Sequence, residues 1–165
     1  MATILKAERV EQADWNQPDP ENWQDGLRGG LDRLQANHPG KAAVIVAHSL
    51  GCILAVRWVL ANPEQARKAL RGLLLVAPAD VDSPDHTPNE VRTFAPIPTT
   101  ELPVPALVVA STSDPYCPYG RAASLATAWG ASLCNIGDAG HINVEAGFGP
   151  WPLGMALLRR LSSAP

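Results

Sequence analysis

Three side chains in this sequence have the types needed for acyl transfer: Ser49 in Ala47-His48-Ser49-Leu50-Gly51, Asp114 in Ser113-Asp114-Pro115-Tyr116, and His141 in Gly140-His141-Ile142-Asn143. A serine hydroxyl is a weak nucleophile at neutral pH and needs a base to take its proton as it attacks a carbonyl. A histidine can take that proton and return it to the leaving group, while a carboxylate holds the imidazole tautomer and stabilises the imidazolium. The N–H of Leu50, at the start of a helix, would face negative charge developing on the attacked oxygen. Each residue also has a plain structural use. Ser49 can cap a helix, Asp114 before Pro115 can start a turn, and His141 after Gly140 can cap the segment that follows.

The elements that must position these groups are visible in the apolar pattern. Ala42 to Val46 is a short run of small and β-branched residues, which reads as a buried parallel strand. Ile53, Leu54, Val56, Trp58, Val59 and Leu60 then continue to Asn62-Pro63 without a breaker, as a buried helix does. Ser49 sits at the sharp turn between the two, with Ala47 and Gly51 small where strand and helix approach closely. Residues 72–77, 106–110 and 131–136 read as further strands. Helices are expected over 63–70, 121–129 and 151–161, the last with Leu153, Leu157, Leu158 and Leu161 as its apolar face. An earlier helix, capped by Asp19, carries Trp23, Leu27, Leu31 and Leu34 at helical spacing and ends by His38-Pro39-Gly40; Gly26, Gly29 and Gly30 weaken its interior. A short strand is expected over 9–13.

Strands alternating with helices predict an α/β fold, a three-layer open and mostly parallel sheet with helices on both faces. Ligands of such sheets bind beyond the carboxyl ends of the strands, and Ser49, Asp114 and His141 each follow a different strand. Their order, Ser then Asp then His, is that of the α/β-hydrolases. Asp80, after the 72–77 strand, is the competing acid. Asp114 ranks above it because the acid usually follows the strand just before the histidine's. His48 should point away from the adjacent serine, toward a structural or pocket-lining role. Between Pro78 and Pro105 lie 7 of the 16 prolines, so no regular element is expected there; the stretch is either a wall over a pocket or a surface crossover.

Composition narrows the classes. The chain of 165 residues has the length of one domain, 1–165, with 46% hydrophobic and 18% charged residues. A net charge of −3 offers no footprint for nucleic acid or an anionic membrane; Arg67, Lys68 and Arg71 read as a solvated helix end. No apolar run reaches the ~18 residues that span a bilayer, and no signal-peptide core opens the chain, so the cytoplasm is the expected compartment. Cys52, Cys117 and Cys134 read as free thiols, with Cys117 the one near the chemistry. His38, His48, His86 and His141 lack zinc-type pairing and no phosphate-binding glycine loop is present, so no metal and no cofactor is expected.

From Glu8 to Leu161 the chain resembles the small serine hydrolases related to retinoblastoma-binding protein nine. The likeness lies in Val10-Glu11-Gln12-Ala13-Asp14-Trp15, Val46-Ala47-His48-Ser49-Leu50-Gly51, Phe94-Ala95-Pro96, Ser113-Asp114-Pro115-Tyr116 and Gly140-His141-Ile142-Asn143. The resemblance implies a compact α/β-hydrolase fold, a Ser49, Asp114, His141 triad and carboxylester hydrolysis. It also implies an N-terminal strand and glycine-rich loop supplying part of the oxyanion hole, whereas here no glycine precedes Gly26. Asn22-Trp23-Gln24 lies too late in the chain to be the segment that follows that loop. Two functions follow: an esterase for a small-molecule ester, with activity impaired by the missing loop, or a catalytically weak binding domain. A missing strand leaves a neighbouring edge unprotected, which makes a dimer one outcome for the open oligomeric state.

Overall fold

The computed structural model describes residues 7–163. Four strands, β1 (Ala43–His48), β2 (Leu70–Val76), β3 (Ala106–Ala110) and β4 (Ser132–Asn135), form one sheet in the order β1-β2-β3-β4. Every pairing is parallel, with His48 opposite Val76, Val76 opposite Val109, and Val109 opposite Cys134. That register aligns the carboxyl ends of all four strands along one rim of the sheet. Backbone bonds continue just past it, from Ser49 N–H to the Val76 carbonyl and from Ala77 N–H to the Val109 carbonyl.

Alternate residues of the central strands face opposite layers, as strand geometry requires. Leu73, Leu75 and Val108 join a core with α1 (Pro20–Asn37), α2 (Leu50–Ala61) and the Leu125 and Ala126 side chains of α4 (Tyr119–Ala128). Leu74, Val76, Leu107 and Val109 pack instead with Leu157, Leu158 and Leu161 of α5 (Pro152–Ser163). The sheet is therefore the middle of three layers. Both faces of β2 and β3 are covered, which is why their sequences are apolar without alternation. Each fully buried Leu or Val side chain contributes about 1.5–3 kcal/mol. Helix α1 starts where Asp19 accepts the Asn22 N–H at 2.9 Å with Pro20 in the first turn, and it buries Trp23, Leu27 and Leu31. The segment α3 (Pro63–Ala69) returns the chain to β2.

Four expectations change. No strand forms over 9–13; that segment lies along α1, where Glu8 pairs with Arg33 at 2.6 Å. A Cβ at Gly30 would come within 3.0 Å of Val10, and one at Gly26 within 2.7 Å of Gln12, so those glycines make room for the crossing chain. The proline-rich stretch holds a 3-10 helix, Asn89–Phe94, which suits residues between prolines that cannot sustain a longer element. Phe94 is fully buried against Trp23, and Arg57 donates to the Phe94 and Pro96 carbonyls, so the stretch packs as a stitched crossover and part of the core. On α5, Leu153 is exposed and Gly154 is buried under Trp151, because a Cβ at 154 would overlap that ring. Arg71 belongs to β2, whereas the expected solvated helix end stops at Ala69. Among the described residues β1 pairs only with β2, and its Val46 is 55% exposed.

Candidate active site

Ser49 stands at φ 55°, ψ −123°, between the last residue of β1 and the first of α2. A positive φ is strained for any residue with a Cβ and persists only where the surroundings fix it, at about 1–3 kcal/mol. Here Ser49 N–H is held by the Val76 carbonyl at 3.0 Å, and the Ser49 carbonyl accepts from Cys52 N–H at 3.0 Å. The turn carries Ser49 past the end of β1 and leaves the Leu50 N–H among the first-turn donors of α2, which have no partner within the helix. A Cβ on Gly51 would lie 3.8 Å from that of Ala47, an ordinary contact, so this elbow has room for alanine where the usual motif carries glycine.

His141 arrives from the loop after β4. Its Nδ1 lies 2.9 and 3.0 Å from the two Asp114 carboxylate oxygens, and its Nε2 lies 2.8 Å from Ser49 Oγ. The carboxylate can only accept, so Nδ1 carries the hydrogen and Nε2 is left free to accept from the serine hydroxyl. His141 and Asp114 are both buried, which strengthens their interaction and shields the pair from water. The structure thus brings together Ser49, His141 and Asp114 from the ends of β1, β4 and β3.

The loop that carries His141 is fastened to the loop that carries Asp114. Thr112 N–H donates to the Gly137 carbonyl at 2.8 Å, Ser111 Oγ accepts from Ala139 N–H at 3.0 Å, and Ser113 Oγ accepts from Gly140 N–H at 3.0 Å. Ser113 Oγ also donates to Asp138 at 2.5 Å. Gly140 adopts φ +53°, and Ile142, at φ +51°, is buried in the α5-side core and anchors the loop's far end. Tyr116 donates its backbone N–H to Asp114 at 2.9 Å and lays its ring edge-on against the His141 imidazole, centroids 4.5 Å apart. Sequence reasoning missed Ser111, Ser113 and Tyr116 as partners of the site. The run of hydroxyls immediately before Asp114 was the available signal.

Asp80 is elsewhere. It pairs with Arg121 at 3.1 Å, and Arg121 also reaches Asp82 at 2.7 Å, so this acid fastens the start of the proline-rich stretch to α4. Cys52 lies buried beneath the elbow with its thiol near the Val76 and Ala47 carbonyls, and burial pushes its pKa far up. Burial, reinforced by the negative charges of Asp80 and Asp114, pushes the Cys117 thiol up to about 12, so it is inert. His48 turns from Ser49 toward His141, whose carbonyl lies 2.8 Å from its Nε2. No group of three or more His, Cys, Asp or Glu side chains suited to a metal ion occurs among the described residues. No helix there is long and apolar enough to cross a membrane.

Known proteins share this arrangement of elements. A protein of Pectobacterium atrosepticum named a YdeN-like hydrolase is 33% identical, over 93% of this chain and 75% of its own, with a TM-score of 0.73. The ydeN gene product of B. subtilis is 22% identical over 94% of this chain and 81% of its own, at TM-score 0.68. Est1E of Butyrivibrio proteoclasticus is 13% identical over 88% and 69%, at 0.63, and both of these likenesses are of fold. No curated protein matches significantly. The family model described as serine hydrolase matches residues 1–160 of the 165. With a serine at the strained turn of a parallel α/β sheet, this chain belongs to the serine hydrolase family and has the α/β-hydrolase fold.

Proposed function

We propose that the protein is a serine carboxylesterase for small acyl esters, with Ser49 as nucleophile, His141 as general base and acid, and Asp114 as the acid that orients His141. The observation that carries this reading is the hydrogen-bonded line from Ser49 Oγ through His141 to Asp114, at 2.8 and 2.9 Å. As Oγ bonds to the ester carbonyl carbon, its proton passes to His141 Nε2, and the imidazolium is stabilised by the buried Asp114 carboxylate. The carbonyl oxygen becomes an oxyanion, which the Leu50 N–H stabilises. Collapse breaks the bond to the alcohol, which leaves with the proton from Nε2. Water then gives a proton to Nε2 and adds to the acyl carbon. The bond to Oγ breaks, Ser49 regains its proton, and the carboxylic acid departs.

The test is steady-state hydrolysis of p-nitrophenyl acetate and butyrate by purified protein beside Ser49→Ala and His141→Ala. Turnover lost in both variants supports the reading, and turnover retained in Ser49→Ala removes Ser49 from the mechanism. A site offering Leu50 as its only oxyanion donor would run on the order of 10²- to 10³-fold slower than one with two, so the absolute rate reads the number of donors.

A further inference from the structure

Resting on the hydrolase reading above, we infer that His48 is a positioning residue that ties the catalytic base to the nucleophile's own strand. The nucleophile and the base come from opposite sides of the sheet: Ser49 follows β1, and His141 follows β4, with β2 and β3 between. The bonds from Thr112, Ser111 and Ser113 hold residues 137–140 to the β3 side, and each of them stops short of His141. The backbone of His141 itself is held from the other direction. His48 Nε2 lies 2.8 Å from its carbonyl, and a carbonyl only accepts, so Nε2 carries the hydrogen and donates. The His48 ring also lies against the His141 ring, centroids 4.7 Å apart.

His48 is the residue immediately before Ser49, so its donor moves with the nucleophile's backbone. A bond from that residue to the base's backbone sets the spacing across the sheet that the 2.8 Å contact from Ser49 Oγ to His141 Nε2 needs. Beyond these two contacts with His141, the residue is exposed at the end of β1. Burial lowers the pKa of its ring from the ordinary 6.5, outweighing the bond to the His141 carbonyl, which acts in the opposite direction and raises it. The tie therefore adds no positive charge beside a base that must become imidazolium.

The experiment compares His48→Ala, which lacks donor and ring, His48→Phe, which keeps a ring, and His48→Gln, which keeps a donor at similar reach. With p-nitrophenyl acetate, kcat is expected to fall about tenfold in Ala and Phe and to return most of the way in Gln, with KM unchanged throughout. Ring ¹⁵N–¹H spectra are read in parallel: the His141 Nδ1–H signal should exchange faster in Ala and Phe and match the wild type in Gln. A Phe variant as fast as wild type, or a Gln variant as slow as Ala, overturns the tie. If the wild type fails to turn over ester, the esterase reading fails, and the spectra still decide whether His48 holds His141. Because His48 is exposed, all three variants are expected to melt near the wild type.

Discussion

Replacing Ser49 by glycine should stabilise the protein relative to Ser49→Ala, although both remove the same hydroxyl. At φ 55°, ψ −123° the backbone is strained for serine and alanine alike, by about 1–3 kcal/mol, and unstrained for glycine. Glycine gives back about 0.5–1 kcal/mol through the greater freedom of the unfolded chain, which leaves a net advantage of about 0.5–2 kcal/mol over alanine. Both variants lose the bond to His141, about 0.5–1.5 kcal/mol, so Ser49→Gly should fall near the wild type and Ser49→Ala below it. For a chain of this size each kcal/mol moves Tm by roughly 2–4 °C. Thermal and urea unfolding of the three proteins should therefore place Gly about 1–8 °C above Ala. A glycine variant that melts at or below the alanine variant would refute the claim that the turn stores strain.

Other outcomes follow from the same geometry. Asp114→Asn should cut turnover on the order of 10³- to 10⁴-fold by presenting the wrong tautomer, whereas Asp80→Asn should leave kcat near wild type and lower stability by about 1–3 kcal/mol by weakening the Arg121 pair; the reverse ranking in p-nitrophenyl acetate turnover would exchange the two acids. Gly51→Ala should fold and gain about 0.5–1 kcal/mol in helix α2, measured by urea unfolding, since its Cβ meets Ala47 at 3.8 Å; a loss of stability would refute that room for a methyl group. Iodoacetamide at pH 8 should alkylate the partly exposed Cys134 in the native protein and spare Cys52 and Cys117, read by peptide mass, with all three modified in urea.

Much of the fold was legible because its signals are local. The apolar runs of β1, β2 and β3 are bounded by turn residues, and Asp19-Pro20 announces α1 by a capping chemistry that needs no distant partner. Ser49, Asp114 and His141 could be grouped because each follows a strand and parallel strands share one carboxyl rim. What stayed hidden depends on contacts far apart in sequence. Gly26 and Gly30 looked like flaws in a helix, and their use appears only when Val10 and Gln12 cross over them. The same crossing explains why 9–13 pairs with no strand among the described residues. Phe94 lies in the proline-rich stretch read as either a pocket wall or a surface crossover, and its place in the core depends on Trp23, 71 residues earlier in the chain. His48 could be aimed away from Ser49 by strand alternation, but its acceptor lies 93 residues on, in a loop whose path no local pattern fixes.

The proposed chemistry requires Ser49 to be an activated nucleophile. Intact-mass measurement after treating the folded protein with a fluorophosphonate tests it most directly, with peptide mapping and Ser49→Ala alongside. One adduct per chain is expected, located on Ser49 and absent from the variant. A folded wild-type protein that stays unlabelled, or that carries its adduct on another residue, would contradict it.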